Sequence, residues 1–97
     1  MNPDFRILTY MEPVERPRGR GFKTLVSPQE GYYVVVSEIH IETEGGTSTE
    51  ALCFPADRDG TIRSMTDLGA GWDTGDAING LREWWTPSLH ERADRAD

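Results

Sequence analysis

Glu38, His40, Glu42 and Glu44 recur at every second position in and just beyond a run of strand-forming residues, and they carry the clearest chemical potential in the chain. Successive side chains of a strand point to opposite sides, so this spacing puts all four on one face. Shared metal ligation is one chemistry to weigh. Same-face neighbours stand about 6.6 to 6.8 Å apart for each two-residue step, too far for Glu38, His40 and Glu42 to meet one ion at roughly 2.0 to 2.2 Å. Nucleophilic catalysis is another, with Cys53 and His40 as the only obvious nucleophile and base. No third orienting group accompanies them, and no zinc spacing, nucleophile elbow or phosphate-cradling loop occurs. Gly69-Ala70-Gly71 before a helix lacks the Lys-Ser/Thr pair of a phosphate loop. The chain therefore reads as a non-enzyme with no metal and no cofactor.

Presentation of charge remains. Between Lys23 and Arg58 there is no Lys or Arg, but Glu30, Glu38, Glu42, Glu44, Glu50 and Asp57 all fall there. Folded onto one face, such a block predicts a single-sign negative potential that steers a basic partner; the alternative is an ordinary solvated strand face. Trp72, Trp84 and Trp85 cluster near the C-terminus, and tryptophan is enriched at interfaces as well as in cores. Core is the default for them, with Trp72 the candidate to join a binding patch. The candidate partner-binding residues are thus Glu38, His40, Glu42, Glu44 and Trp72. A formal net charge of -7 disfavours direct binding to a phosphate backbone.

These residues need a scaffold, and 97 residues suffice for one small domain spanning 1–97. Asp4 to Met11 has strand composition, whereas 12–21 interleaves Pro, Gly and alternating charge and is expected to be a mobile loop. Arg16, Arg18 and Arg20 would then be solvated, or face an anionic partner. Phe22 to Ser27, Tyr32 to Thr43, Thr49 to Phe54 and Thr61 to Met65 read as further strands, joined by turns at 27–31, 45–48 and 55–60. On the longest of them Tyr33, Val35, Ser37, Ile39 and Ile41 share one face; the acidic face is apolar at Tyr32, Val34 and Val36 and wet beyond.

After the glycine-rich loop 67–72, Asp73 or Thr74 caps a helix running through Asp76 to Trp85, with Ala77, Ile78, Leu81, Trp84 and Trp85 on one face. Gly80 costs about 1 kcal/mol relative to Ala there, so it is expected to permit close approach to the sheet or mark strain. Thr86-Pro87 ends the helix, Thr86 caps one further short turn, and 91–97, without apolar periodicity, is expected to fray. The fold class is α+β: a four- or five-stranded antiparallel sheet with one C-terminal helix packed on one face. Cys53, flanked by Leu52 and Phe54, reads as a small buried hydrophobe. No apolar run approaches the roughly 20 residues of a membrane span, and a cytoplasmic location is expected, with no membrane partner.

The run from Glu50 to Ile62, then Thr66-Asp67-Leu68 and the helix opening Trp72-Asp73-Thr74-Gly75-Asp76-Ala77, resembles short phage and prophage proteins. Those carry a strand, a Phe-Pro-x-Asp-x-x-Gly turn, a second strand and an acidic helix start. The resemblance covers about the C-terminal third of the chain and no catalytic residue. It implies a mobile-element protein of the anti-CRISPR or anti-defence type. Arg outnumbers Lys nine to one, an association with high-GC bacterial or phage genomes. The expected function is an acidic inhibitor or adaptor that acts as a nucleic-acid mimic on a basic protein or nucleoprotein complex. The other reading is a structural or small-ligand-binding domain with an aromatic pocket between helix and sheet. Sequence leaves the partner and oligomeric state open.

Overall fold

The structure, a computed structural model, describes residues 4–10, 14–16 and 19–95. Their elements in chain order are β1 (Arg6–Tyr10), β2 (Val14–Arg16), β3 (Gly19–Gln29), β4 (Tyr32–Thr43), β5 (Gly46–Ala56), β6 (Gly69–Gly71), α1 (Thr74–Trp84) and α2 (Pro87–Arg95). All strands pair antiparallel in the order β1-β3-β4-β5-β6, and β2 lies against β3. The fold is α+β, an antiparallel sheet of five strands in a row with β2 beside β3 as a sixth, and two C-terminal helices. The centre is β4, whose Val34, Val35 and Val36 are fully buried and whose branched side chains suit a doubly covered strand.

Period-two alternation splits the core between the two faces of the sheet. On one face Val26, Val34, Val36, Ala51 and Cys53 meet Leu68 and the helices through Ala77, Ile78, Leu81, Trp85 and Ala93. On the other, Leu25, Val35 and Ala56 form a smaller cluster with Tyr33 and Ile62. Leu81, 1% exposed, is the central helix anchor. Complete burial of such a side chain contributes about 1.5 to 3 kcal/mol. Asp73 is the N-cap of α1, its carboxylate accepting from the Asp76 N–H at 2.8 Å.

The predicted single helix is corrected to two. Thr86 does not cap a single turn: its hydroxyl accepts from the Leu89 N–H at 3.1 Å, Pro87 occupies the first helical position, and α2 continues to Arg95. Residues 91–95 of the expected frayed tail are therefore helical, while 96–97 lie outside the described residues. Leu89 and Ala93, four apart, reach the main core, and the Ser64 hydroxyl donates to the Ala93 carbonyl at 2.8 Å. His90 completes the attachment as a buried residue, its Nδ1 accepting from the Trp85 indole N–H at 3.1 Å.

Three other segments differ from expectation. Part of the loop placed at 12–21 is strand, since Val14–Arg16 pairs with Gly19–Gly21; residues 12, 13, 17 and 18 lie outside the described residues. The turn at 57–61 forms, with Gly60 N–H donating to the Asp57 carbonyl at 2.9 Å, yet the strand expected at 61–65 reduces to one bridge, Ile62 to Ala56. Inward rotation of Ser64 onto α2 takes that segment out of the ladder. The glycine-rich loop instead supplies a strand, β6, paired with Ala51–Cys53. Gly80 also has a specific task. A Cβ there would stand 2.5 Å from Trp84 Nε1, and one at Gly69 would stand 2.5 Å from Trp84 Cζ2. The two glycines open a slot for the Trp84 ring, so the close approach is made through that ring.

Candidate partner-binding surface

The helices lie on the face that carries Glu38 and His40, which changes what these residues do. Glu38 Oε1 accepts from the Thr74 N–H at 2.7 Å, satisfying a first-turn donor of α1 from a strand 36 residues away. Its Oε2 meets His40 Nε2 at 2.5 Å, and the His40 ring stands edge-on to Phe22 with centroids 5.5 Å apart. The Glu38 side chain keeps 15% exposure. Partial burial pushes its carboxyl upward, but the hydrogen bonds from His40 and the Thr74 N–H outweigh this and leave it below the ordinary carboxylate value. Both oxygens of this carboxylate are thus engaged within the fold.

Cross-strand register also alters the charge of this face. Arg20 of β3 stands opposite His40, so a cation enters the group that is purely acidic in sequence. Its guanidinium lies 5.7 Å from the Phe22 ring centroid, on the same side as His40. The single-sign face expected from the sequence therefore does not extend over Glu38 and His40.

Beyond His40 the hairpin leaves the cover of α1. Ile41 through Ser48 are all exposed, including Glu42 on β4 and Glu44 in the turn, and Glu50 is exposed on β5. Trp72 is exposed too, at 82%, against a half-buried Trp84 and a buried Trp85. Its backbone is fixed: the Trp72 N–H donates to Asp76 Oδ2 at 2.9 Å. A groove of about 370 Å³ runs between this tryptophan and β5, lined by Ser48, Thr49, Glu50, Gly71, Trp72 and Asp76. Of the five sequence candidates, the fold brings Glu38 and His40 to the α1 N-terminus just past Trp72. Glu42 and Glu44 lie farther out along the hairpin.

Sequence reading missed Glu50 and Asp76 as neighbours of Trp72. The signal for Asp76 was its four-residue offset from Trp72 at a helix start; Glu50 carried none, because its position depends on the β5–β6 register. Cys53 is fully buried, and burial pushes its thiol up to about 12, with the charge of Asp67 adding to the rise. Such a sulfur is not presented as a thiolate.

A second cavity, about 400 Å³, opens between α2, the β3–β4 turn and the loop after β5. Tyr32, Tyr33, Arg63, His90, Glu91 and Asp94 are among its lining residues. Tyr32 donates to Glu91 at 3.0 Å and Arg63 Nε to Asp94 at 3.0 Å, so most of its charge is internally matched. The chain matches no family model, no curated protein and no solved structure. Among the described residues no helix is long and apolar enough to cross a membrane. What the surface can do rests on its own geometry and charge.

Proposed function

We propose that this protein is a non-enzymatic, acidic inhibitor or adaptor that acts in the cytoplasm on a basic surface of a nucleic-acid-handling complex. A CRISPR-type defence complex of the kind countered by phage proteins fits that description. The supporting observation is a bare acidic hairpin end, with Glu42 on the helix side of the sheet, Glu44 in the turn and Glu50 on the other side, together with a tryptophan that is 82% exposed while Trp84 is half-buried and Trp85 buried. Exposed carboxylates accelerate encounter with a cationic groove, and a tryptophan desolvated on contact slows release. Direct nucleic-acid binding has no part in this reading, because like charges repel. Glu38 and His40 serve it indirectly by holding the α1 N-terminus next to Trp72.

Co-purification from a bacterial host tests the reading. The expected result is a stoichiometric protein partner that is lost at high salt and lost again when Glu42, Glu44 and Glu50 are together changed to Lys. A partner indifferent to both would overturn it. The second reading, a small-ligand-binding domain, is favoured by the aromatic and charged cavity at Tyr32 and His90. A retained small molecule displaced by His90→Leu would select it instead.

A further inference from the structure

The outer edge of β5 is covered along only part of its length. From Ala51 to Ala56 it is occupied: β6 pairs with Ala51–Cys53, the Leu68 N–H donates to the Cys53 carbonyl, the Arg63 N–H to the Pro55 carbonyl, and Ile62 bridges Ala56. Outward-directed backbone groups therefore belong to the odd-numbered residues of this strand. The same alternation aims the N–H and C=O of Thr49 and Thr47 outward, and no described residue meets them. The edge opens because β6 ends. In the β5–β6 register Gly71 stands opposite Ala51, so Asp73 would come opposite Thr49, but Asp73 instead caps α1 and the chain leaves the sheet at Trp72. Gly71 fixes that departure, since a Cβ there would lie 2.6 Å from the Ala77 nitrogen.

Natural sheets protect such edges with Lys, Pro or bulges. Gly46–Glu50 has none of these, its one charged side chain is Glu50, which repels an acidic strand but not a basic one, and its pairing with β4 runs without a register shift. The opposite edge of the sheet is protected: β1 carries a bulge between Ile7 and Thr9 and begins at Arg6. Next to the unprotected stretch stand Trp72 and the carboxylates of Glu50 and Asp76, which line one groove.

The geometry points to strand addition: an extended segment of a basic partner pairs antiparallel with Thr47 and Thr49, collinear with β6, and lays a Lys or Arg side chain in the groove of Trp72, Glu50 and Asp76. Main-chain hydrogen bonds hold the segment, and the aromatic face with two carboxylates selects its cation. Charge decides the occupant. A second copy of a chain with net charge -7 would bring further acid to an edge already flanked by Glu50 and Asp76, whereas a Lys/Arg-bearing segment neutralises it. This inference rests on the proposed function in taking the partner to be basic, and it adds the mode of recognition.

The probe is a blocked peptide, acetyl-Val-Arg-Val-Arg-Val-amide, titrated into the full chain labelled with nitrogen-15. Expected are shifts of the Thr47 and Thr49 amides and the Trp72 indole, weakened roughly tenfold or more when alternate peptide nitrogens are methylated, because each lost edge bond removes part of a small total. Thr49→Pro gives the same loss with the fold intact, since an outward-facing edge N–H is where a strand accepts proline. Equal binding of the methylated peptide, or of the wild-type peptide to Thr49→Pro, would overturn strand addition while leaving the acidic-surface reading standing. Equal binding of the Glu-for-Arg peptide would overturn the basic-partner reading itself. A dimer that dissociates on Thr49→Pro, seen by sedimentation, would assign the edge to a second copy and overturn the choice of occupant.

Discussion

The two ends of the β4–β5 hairpin obey the same alternation and meet opposite fates. Near Val34, Val36, Ala51 and Cys53 the helix-side face is sealed by Ala77, Ile78, Leu81 and Trp85. Near Glu42 and Thr47 the same face is bare. Glu38 marks the boundary, because its carboxylate holds the first turn of α1 and thereby sets where cover stops. An acidic residue is thus structural at Glu38 and available four residues on, at Glu42 of the same face, and the difference is made by a helix end rather than by the strand.

The sharpest way to break this contrast is to cut the same volume from both ends. Leu81→Ala should cost about 2 to 5 kcal/mol, the range for emptying a packed site, which is a large share of a small domain's stability. Ile41→Ala, on the far face of the distal end at a position already 46% exposed, should cost well under that, about 1 kcal/mol or less. Urea titration of both variants checks the pair. Comparable losses would mean that the distal end is covered after all and cannot serve as an open surface.

Trp84 and Gly80 sharpen the covered end. Gly80→Ala drives a methyl group into the Trp84 ring and should destabilise by about 1 to 3 kcal/mol, despite alanine's better helix propensity. In a Trp84→Leu background the obstruction is gone, so the same substitution should become neutral or stabilising by up to about 1 kcal/mol. Thermal melts of the four proteins complete the cycle. Failure of the sign to change would show that Gly80 is needed for something other than ring packing.

Much of this was legible in the sequence, and the failures have physical causes. The bounds of β4, the Asp73 cap and the apolar stripe of α1 follow from branched residues, a capping side chain and helical spacing, all local signals. Two apolar stripes on β4 left undetermined which face takes the helix, since Tyr32, Val34 and Val36 compete with Tyr33 and Val35. The role of Glu38 depends on Thr74, and the intrusion of Arg20 on the β3–β4 register; neither is local. A strand made of Gly69, Ala70 and Gly71 has almost no side chains from which to read propensity, so its pairing is imposed by β5. α2 was hidden because one of its core residues is a histidine, buried against Trp85 and Tyr32.

At the boundary itself, Glu38→Ala should cost about 1 to 2 kcal/mol, as for loss of a helix cap, while Glu38→Gln retains an acceptor and should cost less. Acid probes the same bond. The carboxyl of folded Glu38 lies below the ordinary 4.5, so its contribution is present above that pH and fades as pH falls through the lower folded value. His90 responds sooner. Burial holds it below 6.5, the nearby Arg63 charge adding to this and Asp94 and Glu91 opposing it, so the neutral form that accepts from Trp85 is lost as pH drops from 6.5 through the folded value. Melting temperature against pH should therefore fall in two stages, with His90→Gln removing the first and Glu38→Gln the second. A single stage untouched by His90→Gln would place the docking of α2 elsewhere.

The smallest effect on stability belongs to the bare end and is the most informative about function. Glu42→Lys and Glu44→Lys, separately or together, should shift unfolding by no more than about 0.5 kcal/mol, because both side chains are exposed and neither anchors an element. Their expected effect is on encounter. With a purified basic partner, association should slow steeply as salt shortens the Debye length from about 30 Å at 0.01 M to about 8 Å at 0.15 M, and the reversed variants should lose that dependence. Trp72→Ala should instead leave the salt slope intact and shorten the lifetime of the complex, since a desolvated aromatic acts on release. Stopped-flow traces separate the two rates. A flat salt response in the wild-type protein would remove Glu42 and Glu44 from recognition and leave Trp72 with the strand edge as the contact surface.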